Sequence, residues 1–418
     1  MKRTWIQWLL ALCSMAAFAA QAQAQVAFAP VVPGKPLSFP EDYGAHPAFK
    51  TEWWYVTGWL QRADGTPLGF QVTFFRSRTG AADNNPSAFA ARQLIVAHAA
   101  VSDPAQGRLL HDQRSGRQGF DLNFARAGTT DLKLGDWTMR RGADGVYQVA
   151  VKSTELNLQL TLRPTAAPLP QGENGYSQKG REARHASYYY SEPQLQVTGT
   201  AGGKGDGKTG SSVVTGTAWL DHEWSSEALD PAASGWDWVG ANLADGSALM
   251  AFQIRARPGA KDNEGAMVNE SGKGNESGKA NESGKGNESG KGNESGKGNE
   301  SGNDGKDGKG GPGGKLWAHA VLRDRSGKVT RYGPDQVSFT PRTQWKSPAT
   351  GIVYPVATTI TTGDINWRLT PLQNDQELDS RRSTGAIYWE GAVTLERDGQ
   401  PAGHGYLEMT GYGKAMTL

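Results

Sequence analysis

Residues 217–242 read TAWLDHEWSSEALDPAASGWDWVGAN and decide both the fold and the expected place of the functional site. Two strand-like segments flank a short loop that contains Ser, Pro and Gly. Four ionisable residues of this stretch lie among four tryptophans: Asp221, His222, Glu223 and Asp237 beside Trp219, Trp224, Trp236 and Trp238. Carboxylates beside tryptophan lose solvation, which raises their pKa and favours a proton donor near neutral pH. We therefore expect the functional centre here.

This stretch lies at the junction of two similar halves. A Trp-rich strand, an Ala-Asp-Gly turn and a Phe-Gln strand occupy 51–76 and recur in the same order at 235–255. The strand at 188–192 likewise matches 387–391, and each half then ends with a last strand. Duplication of one β domain is the simplest explanation. If the first strand pairs with the last, each half closes as a barrel without an exposed edge.

Strand-like alternation recurs along the chain at short spacing. It is clearest at 156–163, where four leucines share one face. No segment shows a sustained 3.6-residue pattern, so the sequence predicts an all-β protein. We expect two tandem barrel domains, an N-terminal one over 46–228 and a C-terminal one over 229–418.

The N-terminus is typical of an export signal. Lys2 and Arg3 precede a short apolar run, and Ala22-Gln23-Ala24 is a cleavage pattern, so we expect 1–24 to be a signal peptide. A Pro-rich lead follows at 25–45. Cys13 leaves with the signal, which excludes disulfides and thiolate chemistry from the mature chain. We therefore expect a periplasmic protein, and one that does not span the membrane because no later segment is apolar enough.

Residues 258–314 differ in composition from the rest. The unit NESGKG repeats there with period six and offers almost no apolar surface to bury, which predicts a disordered insertion. The formal net charge of +2 gives no basic surface for a nucleic acid, so we expect no nucleic-acid partner.

Two interpretations of the acidic residues stay open. On a strand Asp221 and Glu223 share one face and His222 takes the other, and two acids so close would share a proton. The catalytic interpretation groups these three residues with Asp237. The structural alternative has the acids capping strand ends or pairing with arginines, Asp237 for example with Arg76 or Arg255.

Fourteen tryptophans are many for 418 residues. They indicate either a tryptophan-rich core or an aromatic-lined cavity, and for the cavity we expect the lining Trp53, Trp54, Tyr189, Trp219, Trp224, Trp236 and Trp238. The histidines lack metal-ligand spacing, no serine lies in a nucleophile elbow, and no Gly-rich loop opens a helix. The sequence therefore predicts neither a metal nor a cofactor.

Six segments together resemble one family: HPAFKTEWWYVTGWL, GYSQKG, SYYYSEPQLQVTG, GTAWLDHEWSS, GWDWVGANLADGSALMAFQIR and GHGYLEMTGY. The resemblance is to the carotenoid 1,2-hydratase family, which includes AttH-type secreted proteins, and it covers about residues 46–413 apart from the repeat. It implies two lipocalin-like barrels. For the named members it also implies cofactor-independent addition of water to the terminal alkene of an acyclic carotenoid.

These observations predict a periplasmic protein that binds an apolar or isoprenoid molecule. As a hydratase, Asp221 would protonate the alkene, Trp224 and Trp238 would shelter the cation, and Glu223 or Asp237 would deprotonate the attacking water. The alternative is a non-catalytic carrier or chaperone for a lipid or another hydrophobic molecule, with an envelope ABC transporter as its partner.

Overall fold

The computed structural model describes residues 27–81, 83–205, 208–209, 211–259 and 314–416. The predicted signal peptide lies outside these ranges, as does the predicted insertion apart from residues 258, 259 and 314. Among the described residues no helix combines the length and apolar character needed to cross a membrane.

The described residues are almost entirely strands, joined by turns and three single-turn 3-10 helices at Glu41–Tyr43, Pro104–Gln106 and Pro334–Gln336. The strands of the first half are β1 Thr51–Arg62, β2 Pro67–Arg78, β3 Gln93–Ser102, β4 Leu109–Arg117, β5 Asn123–Ala125, β6 Asp131–Leu134, β7 Trp137–Arg141, β8 Tyr147–Lys152, β9 Leu156–Arg163, β10 Leu169–Pro170, β11 Tyr176–Gln178, β12 Ala186–Gly205, β13 Lys208–Thr209 and β14 Ser212–Glu227. Those of the second half are β15 Ala233–Leu243, β16 Ala248–Ala256, β17 Lys315–Arg323, β18 Val329–Tyr332, β19 Val337–Lys346, β20 Val353–Thr362, β21 Ile365–Pro371, β22 Glu377–Asp379, β23 Ile387–Arg397 and β24 Gln400–Met409.

The two halves form separate antiparallel sheets with corresponding strand orders, except that the first sheet continues through two further strands, β6 and β5. The first runs β4-β3-β2-β1-β14-β12-β9-β8-β7-β6-β5 and the second β18-β17-β16-β15-β24-β23-β21-β20-β19. In each sheet the first strand of the half pairs with the last, β1 with β14 and β15 with β24. The two ends of each path are consecutive in the chain, so each sheet curls back on itself. The all-β fold with two barrel-like halves is therefore confirmed.

The matching Ala-Asp-Gly turns also have matching backbones. Gly65 ends the turn between β1 and β2 with φ +83°, and Gly246 ends the turn between β15 and β16 with φ +88°. A side chain is strained in this left-handed region, so glycine fits both hairpins.

Both barrels are filled by their own side chains. The four leucines of β9 point inward as predicted, beside Trp54 and Trp137. The second barrel packs around Tyr354, Trp367 and Trp389. A further apolar cluster joins the outer faces of the two sheets and includes Tyr55, Tyr189, Trp219, Trp238, Phe252 and Tyr406. We call this cluster the inter-barrel interface, and it positions the site.

Candidate functional site

A cavity opens at the inter-barrel interface rather than inside either barrel. It encloses about 820 Å³ of space free of protein atoms, solvent at its mouth included. Its apolar lining is largely aromatic: Trp53, Tyr55, Phe75, Trp236, Trp238, Phe252 and Ile254. Its polar lining includes two threonines, Thr51 and Thr73, and ionisable groups from both halves: Lys179, Asp221, Glu223, Tyr388, Glu390 and Glu408. An aromatic cavity with a few convergent polar groups is the usual form of a small-molecule site.

Strand register explains why acids from both halves meet here. Asp221 lies opposite Tyr55 in the β14–β1 pair, and Glu408 lies opposite Trp238 in the β24–β15 pair. Tyr55 and Trp238 are equivalent positions of the repeated hairpin, so Asp221 and Glu408 are equivalent too. The repeated segments of the sequence therefore form equivalent strands, and the cavity lies where the two equivalent faces meet.

Asp221 is buried and accepts three side-chain hydrogen bonds. Its Oδ1 accepts from Ser191 Oγ at 2.5 Å and from Trp219 Nε1 at 2.6 Å, and its Oδ2 accepts from Tyr189 OH at 2.6 Å. Trp238 Nε1 in turn donates to Tyr189 OH at 3.1 Å. Burial raises the pKa of Asp221 to about 7, against the opposing effect of the three donors.

Glu223 shares the cavity face with Asp221, as strand alternation predicts. Lys179 Nζ lies 3.1 Å from Glu223 Oε1, and Ser187 Oγ donates to the same oxygen. The Lys179 ammonium also lies over the rings of Tyr189 and Phe252, at 4.7 and 4.2 Å from their centroids. Lys179 and Glu223 therefore form a buried salt bridge on the same cavity face as Asp221.

The second half contributes a pair of acids, Glu390 and Glu408, which lie opposite each other in the β23–β24 register. Tyr55 OH, from the first half, donates to Glu390 Oε2 at 2.9 Å. Burial, together with the charge of Glu408, raises the pKa of Glu390 well above its usual range. Burial also raises the pKa of Glu408 to about 8. At neutral pH this pair therefore retains a proton.

A hydrogen-bonded path leads from Glu390 away from the cavity. Tyr388, which lines the cavity, hydrogen bonds with Glu390. Tyr388 OH also hydrogen bonds to His98 Nδ1, and His98 Nε2 lies 2.8 Å from Ser383 Oγ. His98 is fully buried, and burial lowers its pKa to about 3, so the ring is neutral.

The predicted cavity residues separate into two groups. Trp53, Trp236 and Trp238 line the cavity, while Tyr189 and Trp219 lie beneath it as donors to Asp221. Trp54 and Trp224 instead lie in the core of the first barrel. There Trp54 stacks on His222 at 4.4 Å and Trp224 stacks on His46 at 3.8 Å. Their strand positions turn them inward, so the expectation that they line the cavity is wrong, as is a cation-sheltering role for Trp224.

His222 and Asp237 do not face the cavity either. His222 takes the opposite face from Asp221, as predicted, and its Nε2 lies 2.9 Å from Glu52 Oε1. Asp237 turns away from Trp236 and Trp238 and pairs with Arg255 Nε at 3.2 Å. Gln253 and Tyr412 also donate to Asp237. This arrangement is the structural alternative for Asp237, and the structure does not bring it to Asp221.

Three residues in the first barrel lie close enough to share a metal ion: His46, Glu52 and His222. Their donor atoms are already engaged. Both imidazoles hydrogen bond to Glu52 Oε1, at 2.7 and 2.9 Å, and Arg76 Nε donates to Glu52 Oε2 at 2.7 Å. A cation would have to enter beside the Arg76 guanidinium and displace these bonds. The group therefore fits a hydrogen-bonded core network and not a metal centre.

Several residues of the site were not predicted from the sequence. Lys179 lies in the GYSQKG segment, which indicated only a loop. Glu408 lies in the last strand of the second half, at the position equivalent to Asp221, and Glu390 lies in the repeated segment 387–391, so the repeat could have indicated both. Tyr388 and His98 carried no usable signal, since they meet only across the inter-barrel interface.

Comparisons with a family model and with a solved structure point to the same family. A family model described as AttH-like matches residues 30–287 and 309–412. The crystal structure of a protein provisionally described as an AttH, from Nitrosomonas europaea, is 50% identical in sequence with a TM-score of 0.74, and the match covers 92% of this chain and 99% of that one. No curated protein matches the chain.

A more distant structure shares the fold. Kievitone hydratase from Nectria haematococca matches with a TM-score of 0.60 over 93% of this chain and 96% of its own. The two sequences are 11% identical, so this likeness establishes common architecture alone.

Proposed function

This chain belongs to the AttH-like family, and we propose that its inter-barrel cavity binds an apolar small molecule of isoprenoid type and adds water to a carbon–carbon double bond. One observation carries the proposal: buried acids of raised pKa and the Glu223–Lys179 salt bridge line the same aromatic cavity. A protein of the same architecture is named kievitone hydratase, and the proposal is consistent with that name.

Hydration of an alkene needs a proton donor and a group that takes a proton from water. Each such group contributes typically about 10²–10⁴-fold to the rate. The acids of raised pKa are candidate donors, and Glu223, which is salt-bridged to Lys179, is a candidate acceptor. Trp53, Trp236 and Trp238 line the space where a carbocation would form, and a cation–π contact with one of these rings would stabilise the cation by about 0.5–2 kcal/mol.

The proposal also includes a cellular location and a substrate class. The sequence pattern of 1–24 supports export to the periplasm, where apolar molecules require a carrier or a binding cavity. Acyclic carotenoids are one isoprenoid class that the family resemblance supports as substrates.

We expect Asp221→Asn to abolish water addition while retaining the ligand, because the amide keeps the size of the side chain but cannot exchange a proton. Apolar molecules extracted from the purified protein are analysed by mass spectrometry before and after incubation in water labelled with heavy oxygen. Wild-type protein should incorporate one labelled water, and Asp221→Asn should do so about 10²-fold more slowly or worse.

Asp237→Asn is the matched control, since it alters a buried acid that lies outside the cavity and should leave incorporation intact. Activity in Asp221→Asn together with inactivity in folded Asp237→Asn would contradict the assignment. A bound lipid that returns unlabelled from the wild type would instead support a non-catalytic carrier that works with an envelope transporter.

A further inference from the structure

The cavity has a first-half wall, which carries Asp221 and Glu223, and a second-half wall, which carries Glu390 and Glu408. The two walls hold their acids in different ways. Asp221 accepts three hydrogen bonds, so every donor around it is already aimed at a carboxylate. The second-half pair receives Tyr55 OH on Glu390 and the Trp236 side chain on Glu408. Two carboxyls that lie opposite each other on adjacent strands repel when both are ionised, so the pair keeps a proton between them.

Other charges near the pair act in the same direction. Asp221 and Glu223 on β14 and Asp237 on β15 all disfavour ionisation of Glu408. The nearby cation, Lys179, is already paired with Glu223. The second-half wall is therefore the wall that holds a proton, and the first-half wall is the one organised to accept a proton.

The hydrogen bonds behind Glu390 have one consistent direction. A protonated Glu390 donates to Tyr388, whose hydroxyl donates to His98 Nδ1. The neutral ring then carries its proton on Nε2 and donates to Ser383 Oγ at 2.8 Å, and Ser383 Oγ donates to Gln113 Oε1 at 2.7 Å. Ser383 is half-buried in the turn between β22 and β23, so this path crosses the interface and ends at the protein surface.

We propose that Glu390 and Glu408 hold the proton that the cavity delivers to its ligand, and that Tyr388, His98 and Ser383 carry replacement protons to the pair from the surface. This inference rests on the proposed function and adds the identity of the donor and its supply. It also changes the role expected of Asp221 from proton donor to proton acceptor.

The proton and electron balance is complete. The Glu408 O–H bond breaks, a C–H bond forms from the π electrons, and a tertiary cation remains. Water adds its oxygen to the cation and gives one proton to the first-half wall, at Asp221 or Glu223. That wall releases its proton to solvent while the relay returns one to the glutamate pair, so the sum is addition of one water.

A relay of this kind is needed because donor and acceptor lie on opposite walls. While an apolar product fills the space between them, no water connects the two walls directly. His98 lies behind the pair, outside the cavity lining, and connects to it through Tyr388, which lines the cavity beside Glu390. They act on proton supply and not on the ligand, so they are positioning residues.

The protonation of the pair is tested by infrared spectroscopy at pH 8, where Asp221, with its pKa of about 7, is mostly ionised. Wild-type protein should show the carbonyl stretch of a protonated carboxylic acid. The double variant Glu390→Gln/Glu408→Gln should lose this band, and Asp221→Asn should keep it. A band that persists in the double variant, or disappears in Asp221→Asn, overturns the assignment.

The relay is tested by following the same band after transfer to heavy water. Tyr388→Phe, which removes only a hydroxyl, and His98→Gln should each slow its deuterium shift about tenfold or more, equivalent to about 1.4 kcal/mol in the barrier. His111→Gln is the matched control, because this neighbouring histidine of β4 lies outside the path, and it should exchange at the wild-type rate. Wild-type exchange in both relay variants overturns the relay.

Neither measurement requires a substrate, so the outcome is separable from that of the proposed function. The expected bands and exchange rates without any incorporation of labelled water would contradict the hydratase proposal alone. Incorporation that survives in the double variant would contradict the donor assignment alone.

Discussion

Two buried carboxyls of one cavity, Asp221 and Glu408, occupy equivalent positions of the duplicated fold but have different surroundings. The neighbour of Asp221 across the strand pair is Ser191, which donates a hydrogen bond, while the neighbour of Glu408 is Glu390, which repels it. The two halves differ here by serine against glutamate. Asp221 is therefore stabilised by hydrogen-bond donors, whereas Glu408 shares a proton with its neighbour.

The pKa of Glu408 leads to a prediction about stability and pH. Folded Glu408 keeps its proton to about pH 8, whereas the unfolded side chain loses it near pH 4.5. Between these values the folded state binds more protons, so this group makes the free energy of unfolding fall as pH rises. Glu408→Gln removes that contribution.

Denaturant unfolding of wild type and Glu408→Gln at pH 4.5 and pH 8 measures this effect. The variant should gain stability relative to the wild type on going to the higher pH. The comparison between the two proteins is the relevant quantity, because neutral buried histidines such as His98 and His222 act in the opposite sense below pH 6.5 in both. A relative change of the opposite sign would contradict a raised pKa for Glu408.

At the scale of single strands, alternation fixed which residues share a face but not what each face contacts. β14 is buried on both faces from Ala218 to Ser225, because one face fills the first barrel and the other forms the inter-barrel interface. The sequence could therefore place Asp221 with Glu223 and oppose His222. It could not assign Trp224 to the barrel core, because core and interface are equally apolar.

Close packing on β15 gives a prediction of its own. A Cβ at Gly240 would lie 2.6 Å from Trp238 and 2.9 Å from Trp219, the two indoles that hydrogen bond around Asp221. We expect Gly240→Ala to destabilise the protein by about 1–3 kcal/mol and to change its tryptophan emission, since overpacking displaces these rings.

Gly333→Ala is the control for that experiment, because the added Cβ at Gly333 would meet no atom within 4 Å. Urea unfolding followed by fluorescence should place Gly333→Ala close to the wild type. Equal stability of the two alanine variants would show that the packing at Gly240 is loose.

For the molecule as a whole, the duplication, the all-β class and the pairing of first with last strands were all readable from repeated segments. The position of the cavity was harder to predict from the sequence. Contacts such as Tyr55 with Glu390 and His98 with Tyr388 join residues about 300 positions apart. No local pattern encodes such pairs, because they depend on how two complete barrels dock.

The positions of the end of β16 and the start of β17 lead to a prediction about how residues 260–313 affect folding. Ala256 N donates to Gly314 O at 2.8 Å, and Arg255 lies opposite Lys315, so the chain leaves β16 and returns to β17 at adjacent points. Replacement of 260–313 by a short Gly-Ser turn should leave the fold and the cavity intact. The free energy of unfolding should be equal or slightly higher, because each halving of a loop lowers its closure cost by only ~0.6 kcal/mol.

Thermal unfolding and retention of apolar molecules by the purified protein check this expectation. The full-length chain is the reference. Loss of the bound molecule in a shortened protein that remains folded would assign the segment a part in binding.

The unequal walls of the interface also give the bound molecule a direction. If the two barrels were identical, a ligand lying across their symmetry axis could be turned end for end without any change in energy. Ser191 in place of a second Glu390, together with Lys179 beside Glu223, removes that equivalence. A linear molecule with one reactive terminus therefore has a head and a tail in this cavity, and modification at one end only is what such a binding site would produce.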